Sequence, residues 1–150
     1  FVLPDNLVKK IQFEISDIDT ELKTYKCLID LSKIRNPDIV EITALSSILH
    51  SFYNGIENIF LGIAKGLDND LPKGEKWHND LLENMKNHNQ QRNPVISEEV
   101  FNSLKKYMLF RHFFRHSYTW RLDWEEFKNL VYEMENTWKE LKNNLLELIN

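Results

Sequence analysis

Arg111, His112, Arg115, His116 and Tyr118 fall within a single eight-residue stretch, and their side chains suit work on an anionic substrate. An arginine is always charged, and its planar fork of donors matches the oxygens of a phosphate. A histidine titrates near pH 6.5, so it can take or give a proton at neutral pH. His112 and His116, four residues apart, are also spaced as two ligands of a metal ion. Such a site needs a third ligand, and the surrounding sequence supplies none. Each of these residues also has a plain reading as part of a solvated helix surface.

The surroundings of this stretch set it apart. The chain carries a net charge of −4, so the molecule as a whole does not attract nucleic acid. Yet no acid occurs between Glu99 and Asp123, a window that holds Lys105, Lys106, Arg111, Arg115 and Arg121 with His112 and His116. Phe101, Tyr107, Phe110, Phe113, Phe114, Tyr118 and Trp120 are interleaved with them. Lys105, Lys106 and Arg121 are candidate contacts for RNA phosphates, or they keep the helix soluble. The basic character is local.

The elements that carry this window read as helices throughout. Residues 5–31 lack Gly and Pro, and Val8, Ile11, Ile15, Ile18, Leu22, Tyr25 and Ile29 form one long amphipathic stripe. A loop is expected at 32–36, with Pro37 in the first turn of the next helix. A second helix over about 38–65 carries Ile42, Leu45, Leu49, Phe52, Ile56, Ile59 and Ile63, widened by Ile48, Tyr53, Phe60 and Leu61. So broad an apolar surface marks it as central, and Gly66 reads as its C-cap. A third helix covers roughly 75–88, with Trp77, Leu81 and Met85 inward. Ser97 caps a fourth running to about Tyr118 or Thr119, favoured by Glu98 and Glu99. Asp123, with Glu126 as its capping-box partner, opens a fifth lined by Phe127, Val131, Met134, Trp138, Leu141, Leu145 and Leu148. The fold class is all-α: one domain over 1–150, an up-and-down bundle of four to five helices.

On an ideal fourth helix, Val100, Tyr107, Phe110, Phe114 and Ser117 face the core, with Arg111 and Tyr118 at its border. His116 stands about 140° around the axis from Arg111. Phe101, Met108 and Leu109 interrupt the polar side, which suggests a face that meets another molecule, most cheaply a second copy of the chain.

Arg111, four residues, His116, one residue, Tyr118 resembles the Arg-x4-His-x-Tyr signature of HEPN domains, in particular the HepT-like toxin ribonucleases. His112 stands where family members usually have a polar residue after the Arg. The similarity in helix order extends over nearly the whole chain. The resemblance implies metal-independent RNA cleavage without a cofactor, leaving a 2′,3′-cyclic phosphate. His116 would move the proton and Arg111 would hold the phosphate, with His112 and Arg115 in support. It further implies a homodimer joined through the motif-bearing helix, both motifs bordering a shared cleft. It also implies a partner nucleotidyltransferase antitoxin of the MNT type, MntA-like, that adenylylates Tyr118. Attached AMP would bring negative charge and bulk beside Arg111 and Arg115. The alternative is a non-catalytic helical subunit that binds a nucleotidyltransferase or its substrate.

The remaining features point away from other classes. No stretch approaches the roughly 18 apolar residues of a membrane span, and the start lacks the pattern of a secretory signal. With Cys27 as the single cysteine, the expected setting is cytoplasmic and the thiol a small packing residue. Asp68 and Asp70 hint at a calcium loop, but Lys73 and Asn79 stand where it needs Gly and an acid. His50 and His78 are expected to satisfy local hydrogen bonds. Glu57 is a candidate partner of a cation on the fourth helix.

Overall fold

A computed structural model describes residues 2–150 and is helical throughout. The helices are α1 (Asp5–Thr24), α2 (Lys26–Ile34), α3 (Ile39–Ile63), α4 (Trp77–Lys86), α5 (Glu98–Arg115) and α6 (Trp124–Ile149). Six helices replace the expected four to five, because the first apolar stripe is broken at Tyr25 (φ −102°, ψ 12°). Neither Gly nor Pro marks that break. Beyond it, α2 is tied to α6 by Lys26 and Lys33, both within 3.5 Å of the Glu135 carboxylate. Tyr25 and Cys27 are consequently exposed, so Cys27 is not the packing residue it was expected to be.

α3 is the hub, packing against α1, α5, α4, α6 and α2. Leu45, Leu49, Phe52, Ile56, Ile59 and Ile63 are all buried, as their spacing requires. α1 approaches closely at Gly55, where an added Cβ would come within 3.0 Å of Ile18 Cγ1. The start of α3 differs in detail from expectation: Pro37 precedes the helix, and Asp38 is the cap. Asp38 Oδ1 accepts from the Glu41 N–H at 2.8 Å, and Glu41 Oε1 accepts from the Asp38 N–H at 2.9 Å. That reciprocal box was expected at Asp123 instead, where the carboxylate accepts from the Glu125 N–H.

Gly66 does not cap α3. The helix runs into a π-helical turn, Ala64–Asp68, and Asn69 follows in the left-handed region at φ 53°, which Asn tolerates better than most residues. This turn carries Asp68 to Arg92, and the loop after α4 closes over the pair.

Two contacts set the position of α5. The Ser97 hydroxyl accepts from the Val100 N–H at its start, and the Tyr107 hydroxyl donates to the Leu130 carbonyl of α6 at 2.7 Å. Phe110 packs on Phe127, with ring centres 5.1 Å apart. The helix then stops at Arg115, a turn earlier than its composition suggests. His116 is its C-cap, and a 3-10 turn, Thr119–Arg121, leads to α6.

Candidate functional site

The end of α5 stands against the start of α4. Between them lies a cleft of about 150 Å³, bordered by Arg111, His112, Arg115, Met108 and Leu109 on one side. Glu75, Lys76, His78 and Asn79 border it on the other. The two elements meet because α4 and α5 both pack on α3, which also contributes polar side chains behind the cleft.

Arg111 is half-buried. Its Nε–H donates to Asn54 Oδ1 of α3 at 2.5 Å, and its Nη groups have no protein acceptor among the described residues. The guanidinium is thus held at its stem while its outer fork stays open, the geometry of an anion clamp. Asn54 also meets His50 Nδ1 at 3.5 Å. His50 packs on the Phe114 ring at 5.2 Å. Its Nε2 is buried without a hydrogen-bond partner. Burial first, then the Arg111 and Arg115 cations, lower its pKa. Local hydrogen bonding is therefore only partly achieved at His50.

The structure joins Glu57 and His78. The buried Glu57 carboxylate meets His78 Nδ1 at 2.6 Å, so Glu57 partners a histidine of α4 and not a cation of α5. The indole of Trp77 stacks on the His78 ring at 3.6 Å. Beside them Tyr53 is buried, and burial followed by the Glu57 charge raises its pKa, with Arg111 acting the other way.

The other predicted site residues separate into two groups. His112 and His116 are exposed, and their rings meet edge to face at 4.8 Å. Arg115 is exposed on the cleft rim. Because α5 ends at Arg115, Tyr118 is not stacked above Arg111 on a continuing helix. It lies in extended backbone, 68% exposed, against Trp120 (64% exposed), with the Arg121 guanidinium 4.9 Å from the Trp120 ring. Tyr118, Trp120 and Arg121 form a small aromatic and cationic knob.

Lys105 and Lys106 are also exposed, but not beside Arg111. Lys105 lies 5.9 Å from the Phe101 ring. Lys106 borders the groove between α5 and α6 among Asp123, Glu126 and Glu133, surroundings that disfavour an RNA phosphate. The apolar surface of α5 is smaller than expected as well. Phe101 and Met108 are buried, Phe101 beneath the Lys86 ammonium at 4.2 Å, which leaves Leu109 and Phe113 outside. No third His, Cys, Asp or Glu among the described residues joins His112 and His116 as a metal-ligand set. No described helix is long and apolar enough to cross a membrane.

A family model described as HepT-like protein matches residues 44–150, from within α3 to the end of α6. The chain belongs to the HepT-like family. It is a HEPN-type helical bundle, and its Arg-x4-His-x-Tyr stretch lies at the end of α5 inside the matched region. No curated protein and no solved structure matches the chain. α1, α2 and the first turn of α3 lie outside the match, which starts at Ala44.

Proposed function

We propose that this HepT-like chain is a metal-independent endoribonuclease acting as the toxin of a HEPN/MNT pair, with Arg111 on the phosphate and His116 in proton transfer. The observation that carries the reading is the Arg111 side chain: anchored by Asn54, open at its fork, and set on the border of a cleft. Attack by the ribose 2′-oxygen builds charge on the phosphate oxygens, and a guanidinium held in place stabilises it without reorganising. Family membership supports the toxin-like role.

Leu109 (57% exposed) and Phe113 (48% exposed) flank His112 on the outer side of α5. Burying them in a homodimer would set two motifs at one cleft, with His116 facing the second copy's phosphate site. Tyr118 is the adenylylation site for an MNT-type nucleotidyltransferase. Its exposure gives an enzyme access to the hydroxyl, and nearby Arg121 can pair with the AMP phosphate. His112 and Arg115 support the phosphate site, and Arg121 contacts RNA.

The test is end-labelled RNA incubated with the purified chain in EDTA. Cutting that resists EDTA, disappears in Arg111→Ala and His116→Ala, and leaves 2′,3′-cyclic ends is the expected result. An unmodified chain that binds the nucleotidyltransferase but never cuts RNA would replace this reading with a non-catalytic partner subunit. Intact mass after co-expression with the transferase should rise by adenylyl increments, and Tyr118→Phe should abolish the rise.

A further inference from the structure

Arg111 needs an imidazole close to the phosphate it would hold, and the histidines that border its cleft are His78 and His112, not His116. Of these two, His78 is the one held by a buried acid. It reaches the cleft from α4, opposite Arg111 and Arg115. Its Nδ1 is engaged by Glu57 at 2.6 Å, while its Nε2 has no partner and is not among the buried unpartnered atoms of the described residues. Nε2 is therefore accessible, on a ring that lines the cleft. A carboxylate on Nδ1 selects the tautomer in which Nδ1 carries the hydrogen and Nε2 presents its lone pair. The stacked Trp77 ring holds the imidazole plane in place. A buried acid, an oriented imidazole and an open Nε2 are the parts of a general base.

The geometry points to His78 as a catalytic residue of this cleft, the group that takes the 2′-hydroxyl proton, with Glu57 as its positioning residue. The inference rests on the RNA-cleaving reading and deepens it by giving the reaction separate base and acid. The 2′-hydroxyl proton passes to His78 Nε2 as the 2′-oxygen bonds to the adjacent phosphorus. The bond from phosphorus to the 5′-oxygen breaks, and that oxygen takes a proton from the imidazolium of the partner's His116 in the proposed homodimer. The products are a 2′,3′-cyclic phosphate and a 5′-hydroxyl. His78 is left protonated and His116 neutral, and exchange with water resets both. The charged and titratable groups facing His78 are Glu57 from α3, Glu75 and Lys76 before α4, and Arg111, His112 and Arg115 from α5.

The decisive variant is His78→Asn, whose amide nitrogen can still donate to Glu57, so the tie between α3 and α4 is kept while proton transfer is lost. Cleavage of end-labelled RNA is measured from pH 5 to 9 for the unsubstituted chain, His78→Asn, Glu57→Gln and Arg111→Ala, with thermal melting of each. Expected for His78→Asn is a fall of about 10²–10⁴-fold with loss of the ascending acid limb. Glu57→Gln should lower kcat with little change in KM, because the imidazole loses the carboxylate that orients it. Cutting by His78→Asn within threefold of the unsubstituted rate, on the same pH profile, overturns the assignment and leaves a structural tie. If Arg111→Ala is inactive in that same experiment, the RNA-cleaving reading stands without the dyad. An unsubstituted chain that cuts no RNA overturns both. Should His78→Asn fail to melt cooperatively, nitrogen NMR of histidine-labelled unsubstituted chain decides instead. A 2′-fluoro oligonucleotide, which cannot be cut this way, should shift the His78 Nε2 resonance, and no shift rejects contact.

Discussion

Two arginines of this bundle show opposite uses of the same side chain. Arg92, in the loop after α4, is 1% exposed. Its Nε and one Nη donate to the two oxygens of Asp68 at 2.9 and 2.8 Å, and its remaining bonds go to the carbonyls of Asn84, Asn87 and Asn93. All its donor nitrogens are engaged inside the protein. Arg111, at the end of α5, gives its Nε–H to Asn54 and keeps its Nη groups open to the cleft. One guanidinium closes a loop onto the π-helical turn, while the other is steadied but unsatisfied. Unused donors on an anchored cation are free to meet an anion from outside, whereas a saturated guanidinium is a joint of the fold.

Substitutions should pull the two apart. The largest effect on folding is expected at Arg92→Ala, which strands the buried Asp68 carboxylate and several carbonyls. A loss of about 3–5 kcal/mol in urea denaturation is predicted. Arg92→Met with Asp68→Leu should recover much of it, and a double variant no better than Arg92→Ala would mean the carbonyl contacts dominate. Arg111→Ala reverses the pattern: cleavage should fall about 10²–10³-fold, while stability changes little. An Arg111→Ala chain that melts far below the unsubstituted one would blur the contrast.

Smaller still is Asn54→Ala, which frees the Arg111 stem without removing its charge. Cleavage should drop about ten- to a hundredfold through misplacement, and an unchanged rate would show that the clamp needs no anchor. The subtlest test uses His50. Its pKa is lowered in the folded chain by burial and by the two cations, so the unfolded chain binds more protons at and below its ordinary pKa of 6.5. The stability this histidine contributes is therefore present above that pKa and is lost as pH falls toward the lowered value. Melting temperature should decline on acidification through that window, and His50→Gln should decline less. Parallel curves would reject the role assigned to His50.

Much of this contrast is invisible along the chain. Arg92 sits in a run of Asn and Gln, which reads as a polar loop, and its carboxylate partner stands 24 residues away. In the sequence Asp68 stands out only as a failed calcium ligand. His78 looked like a histidine with local partners, whereas its partner Glu57 lies one helix earlier. Phe101 and Met108 appeared as exposed apolar groups on an ideal helix wheel, but α4 covers that side. By contrast, Arg111, His116 and Tyr118 stood out from their spacing, which a local motif preserves.

What the sequence determined by itself is what the backbone reads locally: six stretches of helical periodicity (two of them seen as one), the Ser97 cap, the central character of α3 and the motif near the end of α5. These follow from side chains within a few turns of each other, where period and capping chemistry act. The tertiary structure alone decided that α5 stops at Arg115, that Asn54 steadies Arg111, and that the buried Glu57 meets His78 behind the cleft. Those choices depend on hydrogen bonds between helices, whose partners become neighbours only after the apolar faces have packed.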